Sequence, residues 1–123
     1  ITDSSYLVTD PRIWNRDSNI LAWQHYMGTT ECLTSKAISK YAAPIFANDL
    51  HGLPSTYIAV GDVDLFLDED INYSERLEAA GIGIQLEIFK GGFHAFEFLV
   101  PSAKISKLAR ATHSSAISAA LFD

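Results

Sequence analysis

Hydrophobic and polar residues follow two different periods along this chain, and the change of period predicts its elements. In the segments "STYIAVG" (55–61) and "IQLEIF" (84–89), short apolar or alternating runs between turn residues indicate β-strands. The first run is apolar enough to predict a strand buried on both faces, as in a parallel sheet. In "DEDINYSERLEAAG" and "SAKISKLARATHSSAISAALF", apolar residues recur at helical spacing, which predicts helices over about 68–80 and 103–121. This order of strand, helix, strand and helix is typical of an α/β fold.

The remaining segments give weaker signals. Residues 1–20 show no clear period and are predicted to form a loop, with at most a short helical turn after Asp17. The segment "SNILAWQHYMG" predicts a helix that ends at Gly28, and its apolar face consists of Ile20, Leu21, Trp23 and Met27. Residues 29–44 are predicted to be a weak helix or a loop, and residues 45–55 a connector. In the last helix a packed face is predicted from Ile105, Leu108, Ala109, Ala116, Ile117 and Leu121.

The composition is that of an ordinary folded domain and excludes several classes of function. Of the 123 residues, 48% are hydrophobic and 20% are charged, and the formal net charge is −6. This acidity argues against nucleic acid or an anionic membrane as a partner. No apolar run is long enough to predict a membrane span. Cys32 is the only cysteine, so neither an internal disulfide nor a cysteine-based zinc site can form, and we expect a cytoplasmic protein.

Polar side chains follow both predicted strands at their carboxyl ends. Asp62 and Asp64 follow the first strand, and His94 follows the second in "GGFHAF". Because the carboxyl ends of parallel strands meet at one edge of a sheet, we expect an acid and the histidine to lie close together. A carboxylate that fixes the tautomer of an imidazole is the arrangement used for general-base catalysis. On spacing alone Asp62 and Asp64 compete as the acid, whereas Asp68 and Glu69 are better explained as helix caps.

The other reactive side chains lack such a setting. Cys32 is interpreted as a small residue near a helix end rather than a nucleophile. His25, His51 and His113 are interpreted as ordinary polar residues, and the "HGLP" around His51 is not a glycine-rich oxyanion loop.

Residues 41–98 resemble the C-terminal part of an α/β-hydrolase of the hormone-sensitive-lipase-like esterase family. "GDVDLFLDE" is similar to the acid loop of that family, which selects Asp64, and "GGFHAF" is similar to the histidine loop "PGxxHGF", which selects His94. This chain has Gly91 where the family has proline and Ala95 where it has glycine. The resemblance is fainter over "AWQHYMG" and absent before about residue 18.

The resemblance implies the C-terminal portion of an α/β-hydrolase sheet that lacks its N-terminal half, with residues 1–40 partly cap-like or connecting. The family's nucleophile lies in a G-x-S-x-G elbow and its oxyanion loop is of the H-G-G-G type. Neither occurs in these 123 residues, so the resemblance places both upstream of Ile1. Because the chain does not begin with methionine, we expect part of a nicked or longer enzyme whose N-terminal half supplies the serine.

The function implied by the resemblance is carboxylic ester hydrolysis by Ser-His-Asp acyl transfer. Asp64 and His94 would be catalytic, Leu65 and Phe96 would line the site for a short to medium acyl ester, and no metal or organic cofactor is implied. This chain alone would then be inactive. The alternative is a catalytically incomplete fragment that serves as a binding or assembly module. A homodimer would use strand 84–89 and the last helix as natural surfaces.

Overall fold

The computed structural model describes residues 2–28 and 38–122. The predicted segment 29–44 therefore lies partly outside the described residues, and Cys32 lies wholly outside them. In chain order the elements are α1 (Asp3–Leu7), α2 (Arg16–Met27), a 3-10 turn (Pro44–Phe46), β1 (Thr56–Gly61), α3 (Leu67–Ala79), β2 (Ile84–Phe89), α4 (Phe96–Leu99) and α5 (Lys104–Phe122).

The two strands pair in parallel, and α3 connects them. Their register runs from Thr56 opposite Ile84 to Gly61 opposite Phe89, so both strands end at the same level. The predicted strands and the two long helices are confirmed to within a residue or two. The burial predicted for β1 is wrong for the described residues, because only Val60 and Gly61 of that strand are buried. A sheet with two described strands leaves much of each strand surface accessible.

Small apolar clusters lie on opposite faces of this sheet. One consists of Ala47, Leu50 and Leu77, with Ile58 and Ile84 packed against it. The other consists of Phe89, Phe96 and Ala109, with Ala59 and Ile105 packed against it. Because successive strand residues point to opposite faces, Ile58 and Ala59 serve different clusters. The second cluster fixes α4 and α5 beneath the loop that carries His94.

Helix α1 corrects the prediction of a continuous N-terminal loop. The main-chain N–H of Ser4 donates to Asp68 Oδ2 at 2.7 Å, and Ser4 Oγ accepts from the main-chain N–H of Asp68 at 3.2 Å. Asp68 thus satisfies a free N–H in the first turn of α1, and Ser4 satisfies a free N–H in the first turn of α3. Asp68 does act as a cap, but for α1, which is 64 residues away in the sequence. No local pattern could have indicated this partner.

Helix α2 begins and ends where local chemistry predicts. Asn15 caps it by accepting from the main-chain N–H of Ser18 at 3.0 Å, and Gly28 ends it with φ 67°. The apolar face predicted for α2 is not packed, because the helix has no buried residue and Ile20 and Leu21 are 44% and 54% exposed.

Helix α5 packs over a narrower face than predicted. Ala109 is fully buried and Ile105 packs on the second cluster. Leu108, Ile117 and Leu121 are 59–68% exposed, so the prediction of a continuous packed face is wrong for them. Among the described residues, no helix is both long and apolar enough to cross a membrane.

Candidate active site

The loop after β1 presents Asp64 as a buried carboxylate. The turn closes when the main-chain N–H of Asp64 donates to Gly61 O at 3.2 Å. The carboxylate oxygen Oδ1 accepts from the main-chain N–H of Phe66 at 3.0 Å, an Asx-turn that fixes the side chain just before α3. Asp64 is 7% exposed, so its second oxygen is held in a largely water-excluded position.

The loop after β2 is built from two glycines and a strained alanine. Gly91 has φ 80°, and the main-chain N–H of Gly92 donates back to Phe89 O at 3.0 Å. Ala95 has φ 59°, in the left-handed region that non-glycine residues rarely adopt. These reversals place His94 directly above the start of α4.

The two loops bring Asp64 and His94 into direct contact. His94 Nδ1 lies 2.9 Å from Asp64 Oδ2. Because an ionised carboxylate can only accept, Nδ1 carries the proton and Nε2 is the ring nitrogen left for chemistry. The hydrogen bond that His94 donates to Asp64 raises the pKa of His94 above 6.5, burial opposes this shift, and the charges of Asp64, Glu97 and Asp70 add to it.

Two aromatic rings surround the imidazole. The Phe66 ring meets it edge to face with 5.4 Å between centroids, and the Trp14 ring lies 6.2 Å away at a tilt of 38°. The His94 side chain is still 38% exposed. Sequence reasoning missed Trp14, because it lies 80 positions before His94 in a segment without a periodic signal. Its only local indication is the position just before the cap residue of α2.

A cluster of acids at the start of α3 adds negative charge near this pair. Burial, followed by the charges of Glu69 and Asp64, raises the pKa of Asp70 to about 6, and His94 opposes the shift. Burial also raises the pKa of Glu69. The charge of Asp70 in turn favours the charged form of His94.

The predicted lining residues differ in position. Phe96 is 5% exposed and lines a cavity of about 220 Å³ that also includes Asp64, His94 and His113. Leu65 is 1% exposed, does not line this cavity, and its carbonyl accepts from Ser4 Oγ at 3.0 Å. The substrate-binding role assigned to both residues stays a prediction.

The other candidate side chains have separate partners. Asp62 Oδ1 accepts from the main-chain N–H of Gly91 at 2.6 Å and does not bond to His94. His51 Nδ1 lies 2.7 Å from Asp49 Oδ1 on the exposed connector. His113, which was interpreted from its sequence setting as an ordinary polar residue, lies 2.9 Å from the Tyr57 hydroxyl and lines the cavity. Across residues 2–28 and 38–122, no three His, Cys, Asp or Glu side chains form a group that could hold a metal ion.

A parallel α/β sheet with a histidine paired to a buried aspartate at its carboxyl edge defines the general class of this chain. The sequence profile of the family described as alpha/beta hydrolase fold matches residues 2–98. The chain therefore belongs to the alpha/beta hydrolase fold family, and the resemblance to hormone-sensitive-lipase-like esterases is confirmed.

Named relatives are esterases. Neutral cholesterol ester hydrolase 1 of Rattus norvegicus is 42% identical over 55 residues, which is 43% of this chain and 14% of that protein. The crystal structure of esterase LipW from Mycobacterium marinum superposes with a TM-score of 0.88 at 29% identity, over 99% of this chain and 37% of that one. A bacterial heroin esterase gives a TM-score of 0.88 at 36% identity, over 99% and 38%. This chain thus spans well under half the length of these relatives.

Proposed function

We propose that this chain supplies the acid and base of a carboxylic ester hydrolase, with Asp64 and His94 as two members of a Ser-His-Asp triad. The observation that carries the proposal is the 2.9 Å contact between His94 Nδ1 and the buried Asp64 Oδ2. This contact leaves Nε2 to accept a proton at the carboxyl edge of a parallel sheet, where such folds collect their catalytic groups. The membership of the family and the esterase names of its relatives support the same function.

The reaction proceeds in two proton-transfer cycles. His94 Nε2 takes the proton of a serine hydroxyl while the oxygen attacks the ester carbonyl, and returns it to the leaving alcohol. A water then attacks the acyl-enzyme, with His94 again as base, and the acid is released. Asp64 keeps Nδ1 protonated and stabilises the imidazolium that forms in each cycle.

The serine is the partner that this mechanism requires. The 123 residues contain no G-x-S-x-G segment. We infer that an N-terminal part of the same enzyme brings the nucleophile and the oxyanion donors to the carboxyl edge of β1 and β2. The chain alone would then not turn over esters.

The surroundings of His94 favour an ester with apolar groups. The rings of Trp14, Phe66 and Phe96 offer apolar surface at or beside the pair, and charged surface near it is acidic. Anionic esters would meet the negative charges of Glu69, Asp70 and Glu97 and are expected to be poor substrates. Two relatives are named as a neutral cholesterol ester hydrolase and a heroin esterase, so both names denote action on an ester.

The test is hydrolysis of p-nitrophenyl butyrate by the complete enzyme and two histidine variants. His94→Ala is expected to lower kcat by about 10⁴-fold or more, since removal of a triad member leaves only binding and oxyanion stabilisation. His51→Ala is the matched control, because His51 also pairs with an aspartate but lies on the exposed connector, and should keep full activity. Because the pKa of His94 is raised, kcat/KM should increase with pH above 6.5 as the neutral base form accumulates.

The possible outcomes separate the two candidate functions. Full activity of His94→Ala would refute the assignment of the base. If the wild-type enzyme binds the ester but never hydrolyses it, the binding-module alternative is supported instead.

A further inference from the structure

We propose that Asp62 is a positioning residue for His94, and this inference rests on the proposed function of His94. Asp62 Oδ1 accepts from the main-chain N–H of Gly91 at 2.6 Å, and Asp64 Oδ2 accepts from His94 Nδ1 at 2.9 Å. Two carboxylates from one loop therefore hold the first and last residues of segment 91–94. Asp62 fixes where the loop begins, and Asp64 fixes where the imidazole points.

The contact belongs to a set of hydrogen bonds that joins the two loops. The main-chain N–H of Asp62 donates to Phe89 O at 3.1 Å, and that of Val63 donates to Gly92 O at 2.9 Å. These two bonds connect main chain to main chain and extend the parallel ladder past the ends of both strands. The bond to Gly91 is the member of this set that depends on a side chain, so a substitution can remove it without changing the backbone chemistry.

The conformation of Gly91 explains why an anchor is needed there. Its φ of 80° is readily available to glycine, and a glycine at a loop entry leaves the following residues free to reorient. Proline, which stands at this position in the histidine-loop motif that "GGFHAF" resembles, would fix φ near −65° and has no N–H to donate. In this chain the hydrogen bond that the Gly91 N–H donates to Asp62 restrains the turn that an unrestrained glycine would leave mobile.

Asp62 and Gly91 are both exposed, so the loss of their hydrogen bond should change the His94 loop more than the stability of the whole protein. An exposed hydrogen bond contributes little to overall stability because water competes for both partners. The expected consequence of its loss is therefore a loosened His94 loop in a protein that stays folded. A misplacement of about 1 Å at a reacting group can lower a rate by as much as about 100-fold.

The test compares Asp62→Ala, which removes the acceptor, with Asp62→Asn, which keeps an acceptor oxygen but no charge. The probes are the NMR titration of the His94 ring and the hydrolysis of p-nitrophenyl butyrate by the complete enzyme. Asp62→Ala is expected to lower the pKa of His94 toward its ordinary value, as the bond to Asp64 weakens, and to reduce kcat by about tenfold with KM nearly unchanged. Asp62→Asn should restore both quantities. Glu97 and Asp70, the other acids that affect His94, remain in every variant.

Asp49→Ala is the matched control. Like Asp62, Asp49 is exposed and accepts a hydrogen bond from a main-chain N–H. Its donor is His51 at 3.0 Å, and it lies outside both loops. This variant should leave the His94 titration and kcat unchanged. The proposal is overturned if Asp62→Ala changes neither quantity, or if Asp62→Asn lowers the pKa as much as Asp62→Ala, because the charge rather than the hydrogen bond would then be responsible. If the wild-type enzyme hydrolyses no ester, the proposed function fails, while the titration still tests the positioning of His94 by Asp62.

Discussion

Gly61→Ala tests how closely the two loops that carry Asp64 and His94 pack against each other. An ideal Cβ on Gly61 would lie 2.0 Å from Gly92 O and 2.3 Å from Gly92 C, and ordinary contact begins near 3.4 Å. The obstacle is backbone, so it cannot rotate away as a side chain could. The main chain at Gly92 would therefore have to move by about 1.4 Å, from 2.0 Å to the 3.4 Å at which ordinary contact begins.

The cost follows from what holds Gly92 in place. Overpacking of a tight site costs about 1–3 kcal/mol. The movement also breaks the bond from Val63 N–H to Gly92 O, 2.9 Å long, which is worth about 1 kcal/mol. Alanine regains about 0.4–1 kcal/mol by restricting the unfolded chain. The net loss in the free energy of unfolding is about 1–4 kcal/mol, a large share of the 5–15 kcal/mol typical of a folded protein.

Gly83→Ala is the matched control for this change. Gly83 precedes β2, and the nearest atom to an added Cβ is the side-chain oxygen of Ser55 at 3.1 Å, which can rotate away. The control should change the free energy of unfolding by less than about 0.5 kcal/mol. Urea titration followed by circular dichroism measures both variants, and NMR of the His94 ring reports whether the contact with Asp64 survives. If Gly61→Ala is as stable as Gly83→Ala and keeps the His94 signal, the close packing inferred for the loops is wrong.

Three further changes test other parts of the structure. Ala95→Gly should stabilise the protein by about 0.5 kcal/mol, because relief of about 1–2 kcal/mol of left-handed strain exceeds the added entropy of the unfolded chain. Its control, Ala116→Gly inside α5, should instead destabilise by about 1 kcal/mol. Asp70→Asn should stabilise by about 1–2 kcal/mol at pH 8, because burial raises the pKa of Asp70 to about 6 and partial exposure reduces the cost of its charge. Ser4→Ala should cost about 1–2 kcal/mol through the lost cap between α1 and α3, whereas Ser5→Ala, which loses only a local bond to Thr2 O, should cost about 0.5 kcal/mol.

The outcomes that contradict these predictions are distinct. If Ala95→Gly destabilised the protein as much as Ala116→Gly does, Ala95 would not be strained. For Asp70, the raised pKa means that its protonated form favours folding fully below pH 3.8, and that this contribution is lost as the pH rises to about 6. The gain from Asp70→Asn must therefore vanish near pH 4, and a gain that is independent of pH would exclude this origin. Equal unfolding curves for Ser4→Ala and wild type would show that the cap contributes nothing.

Local patterns in the sequence were sufficient for the central part of this fold. Strands β1 and β2 and helix α3 were predicted to within a residue or two, because turn residues and acidic first turns act over short distances. Asp64 and His94 could also be predicted, since parallel strands bring their carboxyl ends to one edge. On spacing alone Asp62 and Asp64 remained equivalent. The resemblance to the family's acid loop selected Asp64, and the tertiary structure agrees, because Asp62 accepts the main-chain N–H of Gly91 whereas Asp64 accepts from Nδ1 of His94.

The features that the sequence did not predict depend on partners far apart in the chain. The cap between Ser4 and Asp68, the ring of Trp14 beside His94 and the bond between Tyr57 and His113 each join residues 56 or more positions apart. The same limit explains why the apolar face of α2 was predicted to be packed but is not. An apolar stripe indicates that a helix face can be buried, and only tertiary contacts decide whether another element covers it. The sequence by itself therefore determined the strands and the main helices and, through the family resemblance, the two side chains proposed as catalytic. The tertiary structure decided which distant residues support and surround this pair, because hydrogen bonds and burial act through space and not along the chain.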